Sequence, residues 1–178
     1  WNELEQQGIL NETMVIFTTD NGFYHGEHGL AGKWYPHEES IRTPLIVWDP
    51  RMPPNKEGTT DDSFTLNVDL AQTILGAANV SAPEVMQGED ISNLYLKGES
   101  GKSDWRDEFF YEYPNIFDKS MIPGSTALVR KGIKYIEWPD WGVEQLFNLT
   151  NDPIEEKDEI KNPAYADALP ELKLRHDK

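Results

Sequence analysis

Cysteine is absent from the 178 residues, so the sequence offers no disulfide bond and no thiolate ligand for a metal. Long apolar runs are missing too: none approaches the roughly 18–20 apolar residues that span a bilayer. Basic residues are scarce, because 16 Lys and Arg stand against 32 Asp and Glu, for a formal net charge of −16. Such a surface repels nucleic acid and anionic membranes, so we expect neither as a partner. Any anionic ligand must be held by local positive groups or by a metal.

An initiator Met is also missing, since the chain begins at Trp1 in what reads as the end of an amphipathic helix over residues 2–9. We therefore expect a piece of a larger protein. The apolar, partly β-branched run 14–17 follows and predicts a strand buried on both faces of a parallel sheet. Residues 45–48 form a second apolar run, and 68–78 have apolar residues at helical spacing, with Asn67 or Asp69 available as the cap.

The pattern changes after about Trp105. Short alternating or aromatic runs, separated by turn signals, predict an antiparallel meander of about four strands at 109–113, 126–130, 134–138 and 145–149. A charged helix at roughly 163–174 completes the chain. The sequence thus predicts an α/β fold class, with the end of an α/β catalytic domain at residues 1–100 and a small α+β subdomain at 101–178.

Two oxygen-bearing side chains, Asp20 and Asn21, follow directly on the first predicted strand. Strand ends of open α/β sheets are where ligands bind, and a carboxylate with an amide carbonyl suits Ca²⁺ or Mg²⁺. The alternative is a plain Asn-Gly turn, because Gly22 comes next.

The loop that follows contains two histidines, His25 and His28, and a single cation between Asp20 and Arg42, which is Lys33. The histidines could bind zinc or make ordinary loop hydrogen bonds, and no third zinc ligand is evident. Lys33 could be a solvated surface lysine or an ammonium that pairs with an anion held by the metal. Four glycines in this loop allow a close approach of backbone to a ligand.

The whole stretch has the form D-N-G-x(3)-G-E-H-G-L-x-x-K-x(4)-E-x-S-x-R-x-P-L-I-V. It resembles the second signature region of the type I, formylglycine-dependent sulfatases, and most of all the members that act on carbohydrate sulfates. Later segments resemble the same family in the same order: VDLAQTILGAANV, QGEDISNLYLKG, WRDEFFYEY, VRKGIKYIEW and EQLFNLTNDPIEE. The resemblance implies an alkaline-phosphatase-like fold and a periplasmic, secreted or lysosomal-type compartment.

The resemblance also implies roles for individual residues. Asp20 and Asn21 would be two of the calcium ligands, and Lys33 would contact the sulfate group. His25 and His28 would lie on the substrate side of the same loop. Glu39 and Arg42, by our own interpretation, would brace the loop through an ion pair.

The family's nucleophile is a formylglycine made from Cys or Ser in C/S-x-P-x-R, and this motif is absent. The nearest S-x-P is Ser81-Ala82-Pro83, followed by Val85 where Arg is required. The earlier acidic pair that would complete the calcium shell is also absent. We therefore expect the chain to need the N-terminal part of a catalytic domain as its partner, and to be inactive alone.

Two other functions stay open. One is a phosphonate or phosphodiester hydrolase on the same scaffold. The other is a non-catalytic, glycan-binding role for the aromatic residues of the second half.

Overall fold

The computed structural model describes residues 1–114 and 122–177. Its strands are β1 Val15–Thr18, β2 Tyr24–His25, β3 Ala31–Gly32, β4 Leu45–Trp48, β5 Glu108–Tyr113, β6 Ser125–Arg130, β7 Ile133–Trp138 and β8 Val143–Phe147. Its α-helices are α1 Asn2–Gln6, α2 Glu38–Ile41, α3 Asp69–Ala77, α4 Ser92–Leu96 and α5 Leu169–His176, with short 3-10 turns between them. None of the described helices is long and apolar enough to cross a membrane.

The chain divides into two compact units, each built from two separate segments. The first unit contains Trp1–Asp20 and Pro44–Arg106, and the second contains Asn21–Thr43 and Asp107–Lys178. The two-domain division at residue 100 stays a prediction.

In the first unit, β1 pairs with β4 in an antiparallel ladder that sets Val15 opposite Trp48. The predicted parallel pairing is therefore wrong for this strand. In this chain the ladder is not buried on both faces, since Phe17 is 59% exposed and Ile46 is 62% exposed. A short apolar run has the same pattern in either kind of ladder, so its direction could not be read from the sequence.

The core of the first unit lies around α4, where Ile91, Leu94 and Tyr95 are buried. Helix α3 is present as predicted, but neither proposed residue caps it. The buried Asp69 carboxylate instead accepts hydrogen bonds from Leu66 N at 2.7 Å and Glu89 N at 2.8 Å. It also accepts two from the Arg106 guanidinium, at 2.5 and 2.8 Å.

The second unit is built on the predicted four-stranded antiparallel sheet, whose order is β5-β6-β7-β8. The C-terminal helix, α5, lies on one face of this sheet. There it buries a cluster formed by Leu128, Tyr135, Leu146 and Leu172. The meander is confirmed, because alternation and turn residues specify it locally. The terminal helix is confirmed too, although it covers Leu169–His176 where roughly 163–174 was predicted.

The opposite face of the sheet carries the segment 21–43. Along β7, alternate side chains point to this face, so Lys134 and Trp138 share it. Lys134 Nζ donates to the Pro36 carbonyl oxygen at 2.9 Å. The His37 ring lies 6.4 Å from the Trp138 ring and 5.9 Å from the Phe147 ring. The motif-bearing loop therefore rests on the sheet of the second unit.

Candidate active site

The loop begins with a tight backbone approach at Gly22. Its amide donates to the Ser40 carbonyl oxygen at 2.8 Å. A Cβ built on Gly22 would overlap the carbonyl oxygen of Glu39. Only glycine fits such an approach, so this contact fixes Gly22, and with it the preceding Asn21, beside the backbone of α2. The loop then forms the small hairpin β2–β3, with Tyr24 opposite Gly32.

Lys33 follows β3 directly, and its side chain returns to Asn21. Lys33 Nζ lies 2.7 Å from Asn21 Oδ1, within hydrogen-bond distance. The same ammonium lies 5.3 Å from the centroid of the Trp34 ring. Trp34 has φ of 99°, and His28, earlier in the loop, has φ of 54°. Non-glycine residues rarely adopt such angles, and they concentrate at functional sites.

Asp20 is the last residue of the first unit's opening segment, and the division into units falls between it and Asn21. Within its own unit, the Asp20 backbone carbonyl accepts a hydrogen bond from the Asn67 amide at 2.7 Å. The donor chemistry of the two residues, a carboxylate and a carboxamide, matches the hard oxygen ligands of calcium. Two donors fit calcium in kind and fall short of the usual six to eight.

The two loop histidines lie in different environments. His25 is exposed, and its ring contacts only Phe23 among the aromatic pairs described, at 5.1 Å. His28 stacks on His37 with centroids 4.3 Å apart, and its Nε2 lies 3.3 Å from Glu39 Oε2. The predicted Glu39–Arg42 ion pair is wrong, because Glu39 faces His28 instead.

A zinc site at these histidines has no support among the described residues. In the part of the chain that the structure describes, the group of three His, Cys, Asp or Glu side chains close enough to share a metal lies elsewhere: Glu137 on β7, His176 at the end of α5, and Asp177 directly after it. The buried His176 ring places Nδ1 3.6 Å from Glu137 Oε2 and 3.2 Å from Asp177 Oδ1. Acidic side chains commonly lie close together at a protein surface without a metal, so this group does not indicate a metal site.

Sequence reasoning missed the buried groups beneath the loop. Tyr24 is fully buried, and its hydroxyl forms a 2.9 Å hydrogen bond with His37 Nδ1. Burial raises the pKa of Tyr24 above its ordinary value. Burial, together with the charges of His28 and Lys134, lowers the pKa of His37 to about 3. At neutral pH this pair is therefore uncharged and holds the hairpin against the sheet.

A buried charge cluster forms the second missed feature. Lys134 is fully buried, with Nζ 2.7 Å from Glu38 Oε1 and 2.9 Å from Glu155 Oε1. Glu155 Oε2 accepts the Glu38 backbone N–H at 2.6 Å. The sequence did contain one signal, a lysine at an inward position of an alternating strand, since lysine is almost never buried without a partner.

The fold places the chain in the class of alkaline-phosphatase-like sulfatases. A structure solved in complex with its substrate D-glucosamine-2-N,6-O-disulfate superposes on 99% of this chain with a TM-score of 0.89 and 30% sequence identity. The phosphonate monoester hydrolase of Agrobacterium radiobacter matches 99% of the chain with a TM-score of 0.78 at 23% identity, which shows a shared fold.

The family follows from residues 26–178, which match the profile of the C-terminal domain of N-sulphoglucosamine sulphohydrolase. The chain belongs to this sulfatase family, as the sequence motifs predicted. Over 172 residues it is 30% identical to an N-acetylglucosamine-6-O-sulfatase of Bacteroides thetaiotaomicron, an alignment that covers 96% of this chain. The chain spans about a third of the length of these proteins: 30% of that sulfatase, 35% of the substrate complex and 38% of the hydrolase.

Proposed function

We propose that the chain supplies the C-terminal part of a sulfatase, and that Lys33 contacts the sulfate group of a sulfated carbohydrate. The observation that carries this proposal is the 2.7 Å contact between Lys33 Nζ and Asn21 Oδ1 inside the family's signature loop. The contact places the Lys33 ammonium beside Asn21, one of the two oxygen donors of the motif. A solvated surface lysine would not be expected to contact Asn21, at the start of its own loop.

In the proposed reaction, Lys33 stabilises negative charge on the sulfuryl oxygens as the ester bond breaks. A charge that is already in position costs no reorganisation at the moment of reaction. The Trp34 ring beneath the ammonium and the buried Tyr24–His37 pair below the hairpin keep it in place. Removing one such charge-stabilising group typically costs about 3–4 kcal/mol, or roughly 10²–10³ in rate.

Asp20 and Asn21 are the residues that would hold calcium, which would supply Lewis acidity and a template for the sulfate. The remaining ligands and the formylglycine are proposed to come from sequence beyond these residues, which contain no C/S-x-P-x-R motif. His25 and His28 are proposed on the substrate side of the loop. Of the two, the exposed His25 is the better placed to meet a ligand.

The substrate class rests on the relatives. One relative is named N-acetylglucosamine-6-O-sulfatase, and one solved structure contains the substrate D-glucosamine-2-N,6-O-disulfate. Both names refer to a sulfated amino sugar. A sulfated sugar is therefore the substrate that we propose for the complete enzyme. With a net charge of −16 the protein would repel a long polyanion. We therefore propose that it recognises one sulfate group through local contacts.

The test is Lys33→Ala in the complete enzyme, assayed in parallel on a sulfated glucosamine, an aryl sulfate and a phosphonate monoester. We expect turnover of sulfate esters to fall at least ~100-fold. Lys131→Ala is the matched control, because Lys131 is an exposed lysine in the β6–β7 turn. Wild-type kinetics in the Lys33 variant would remove this residue from the mechanism. A preference for the phosphonate ester would instead favour the hydrolase alternative.

The chain alone should hydrolyse no sulfate ester and should bind calcium poorly, since it offers two of the required ligands. Calorimetry that found tight, stoichiometric calcium binding to the isolated chain would contradict the shared-site proposal.

A further inference from the structure

The hydroxyl of Tyr113 is an unexplained buried polar group. It is shielded from solvent and has no hydrogen-bond partner among the described residues. Buried hydroxyls are nearly always paired, so an orphan calls for a cause such as a ligand. Burial raises the pKa of Tyr113, so the group keeps its proton and can both donate and accept.

Tyr111, two residues earlier on β5, provides an internal comparison. Side chains two apart on a strand share one face, so both tyrosines point to the face that carries the loop. The Tyr111 hydroxyl donates to the Trp34 carbonyl oxygen at 3.2 Å. The same residue type on the same strand face thus finds a protein partner at one position and, among the described residues, none at the next.

The surroundings of Tyr113 connect it to the candidate active site. Its ring centroid lies 6.0 Å from that of Trp34. Trp34 is bonded to Lys33 in the chain and has the unusual φ of 99°. The Trp34 ring therefore lies near both the proposed sulfate-binding ammonium, at 5.3 Å, and the ring of Tyr113.

We propose that Trp34 and Tyr113 form a subsite for the sugar ring that carries the sulfate, with the Tyr113 hydroxyl bonding a hydroxyl or amino substituent of that ring. This inference rests on the proposed function. Sugar rings present apolar C–H faces and polar edges, and binding sites meet such ligands with aromatic surfaces and a few placed polar groups. Lys33 would bind the sulfate group, and the Tyr113 hydroxyl would form a hydrogen bond with the sugar ring that carries it.

The experiment uses Tyr113→Phe in the complete enzyme, because it removes one oxygen and little else. We expect kcat/KM for D-glucosamine 6-sulfate to fall about tenfold, as for one ordinary hydrogen bond. We expect kcat/KM for 4-nitrophenyl sulfate, which has no sugar hydroxyls, to change less than twofold. Equal losses on the two substrates, or no loss on either, would overturn the subsite.

A second measurement separates binding from folding. Tyr113→Phe should unfold at the wild-type temperature or above it, because it removes an unpaired buried hydroxyl. Tyr111→Phe should unfold at a lower temperature, because it deprives the Trp34 carbonyl of its donor. A larger loss for Tyr113→Phe than for Tyr111→Phe would show a protein partner and refute the assignment. The Lys33→Ala variant keeps the two proposals apart: if it loses all sulfate-ester turnover while Tyr113→Phe changes nothing, only the subsite fails.

Discussion

Replacing Lys134 by Met tests how the signature loop is held on the sheet. Methionine has a similar length and no charge, so the variant removes the ammonium while keeping most of the packing. The Glu155 side chain is fully buried, and it would then be left without its counter-ion. Breaking one partner of a buried ion pair typically costs about 3–5 kcal/mol. For a chain of this length that corresponds to a fall in Tm of about 6–20 °C.

The loss of stability in the Lys134→Met variant should depend on pH in a defined direction. Burial raises the pKa of Glu155, and the Lys134 charge lowers it by less. Without Lys134 that pKa rises further. The folded variant then holds a proton that the unfolded chain releases, so its stability increases as the pH falls. The deficit relative to wild type should therefore be largest near pH 7.5 and smaller near pH 5.

Urea unfolding followed by tryptophan fluorescence measures both effects, with Lys131→Met as the control for an exposed lysine near the same strand. A Lys134→Met chain within about 1 kcal/mol of that control would refute the reasoning, since a broken buried pair costs more. A deficit that grows on acidification would refute the assignment of Glu155 as the group left uncompensated.

Two further predictions concern the same loop. Gly22→Ala places a methyl group against the Glu39 carbonyl oxygen. We therefore expect a loss of about 1–3 kcal/mol in unfolding free energy, and reduced turnover in the complete enzyme. Unchanged values for both would contradict the close approach. His37 has a folded pKa of about 3, below its unfolded value, so its contribution to stability is present above about pH 6.5 and is lost as the pH falls. By pH 4.5 this loss amounts to roughly 2–3 kcal/mol, and His37→Gln should lack it; parallel stability–pH curves for variant and wild type would exclude the effect.

The elements set by local pattern were predictable from sequence. The four strands of the meander were found because short alternating or aromatic runs lie between turn signals. Helix α3 was found because apolar residues recur at helical spacing, and α5 was predicted as a charged helix. The family itself followed from fixed residues at fixed spacing in one loop.

The side-chain contacts that the sequence did not predict join residues that are not close neighbours in the chain. Glu39 was paired with Arg42, three residues away, and the structure pairs it with His28, 11 residues away. Asp69 was assigned to a helix cap, whereas its carboxylate binds Arg106, 37 residues away. The Lys134 cluster reaches Glu38 across 96 residues, and Glu38 reaches Glu155 across 117. The helical and strand periodicities of a sequence do not predict contacts between residues so far apart.

The docking of residues 21–43 on the C-terminal sheet constrains how such enzymes can exchange parts during evolution. A recombination event between residues 44 and 106 would transfer the sheet without the loop that it supports. The recipient's loop would meet a foreign lysine and glutamate in place of Lys134 and Glu155. Functional chimaeras should therefore inherit both segments from one parent, although most of a compact unit separates them in the gene.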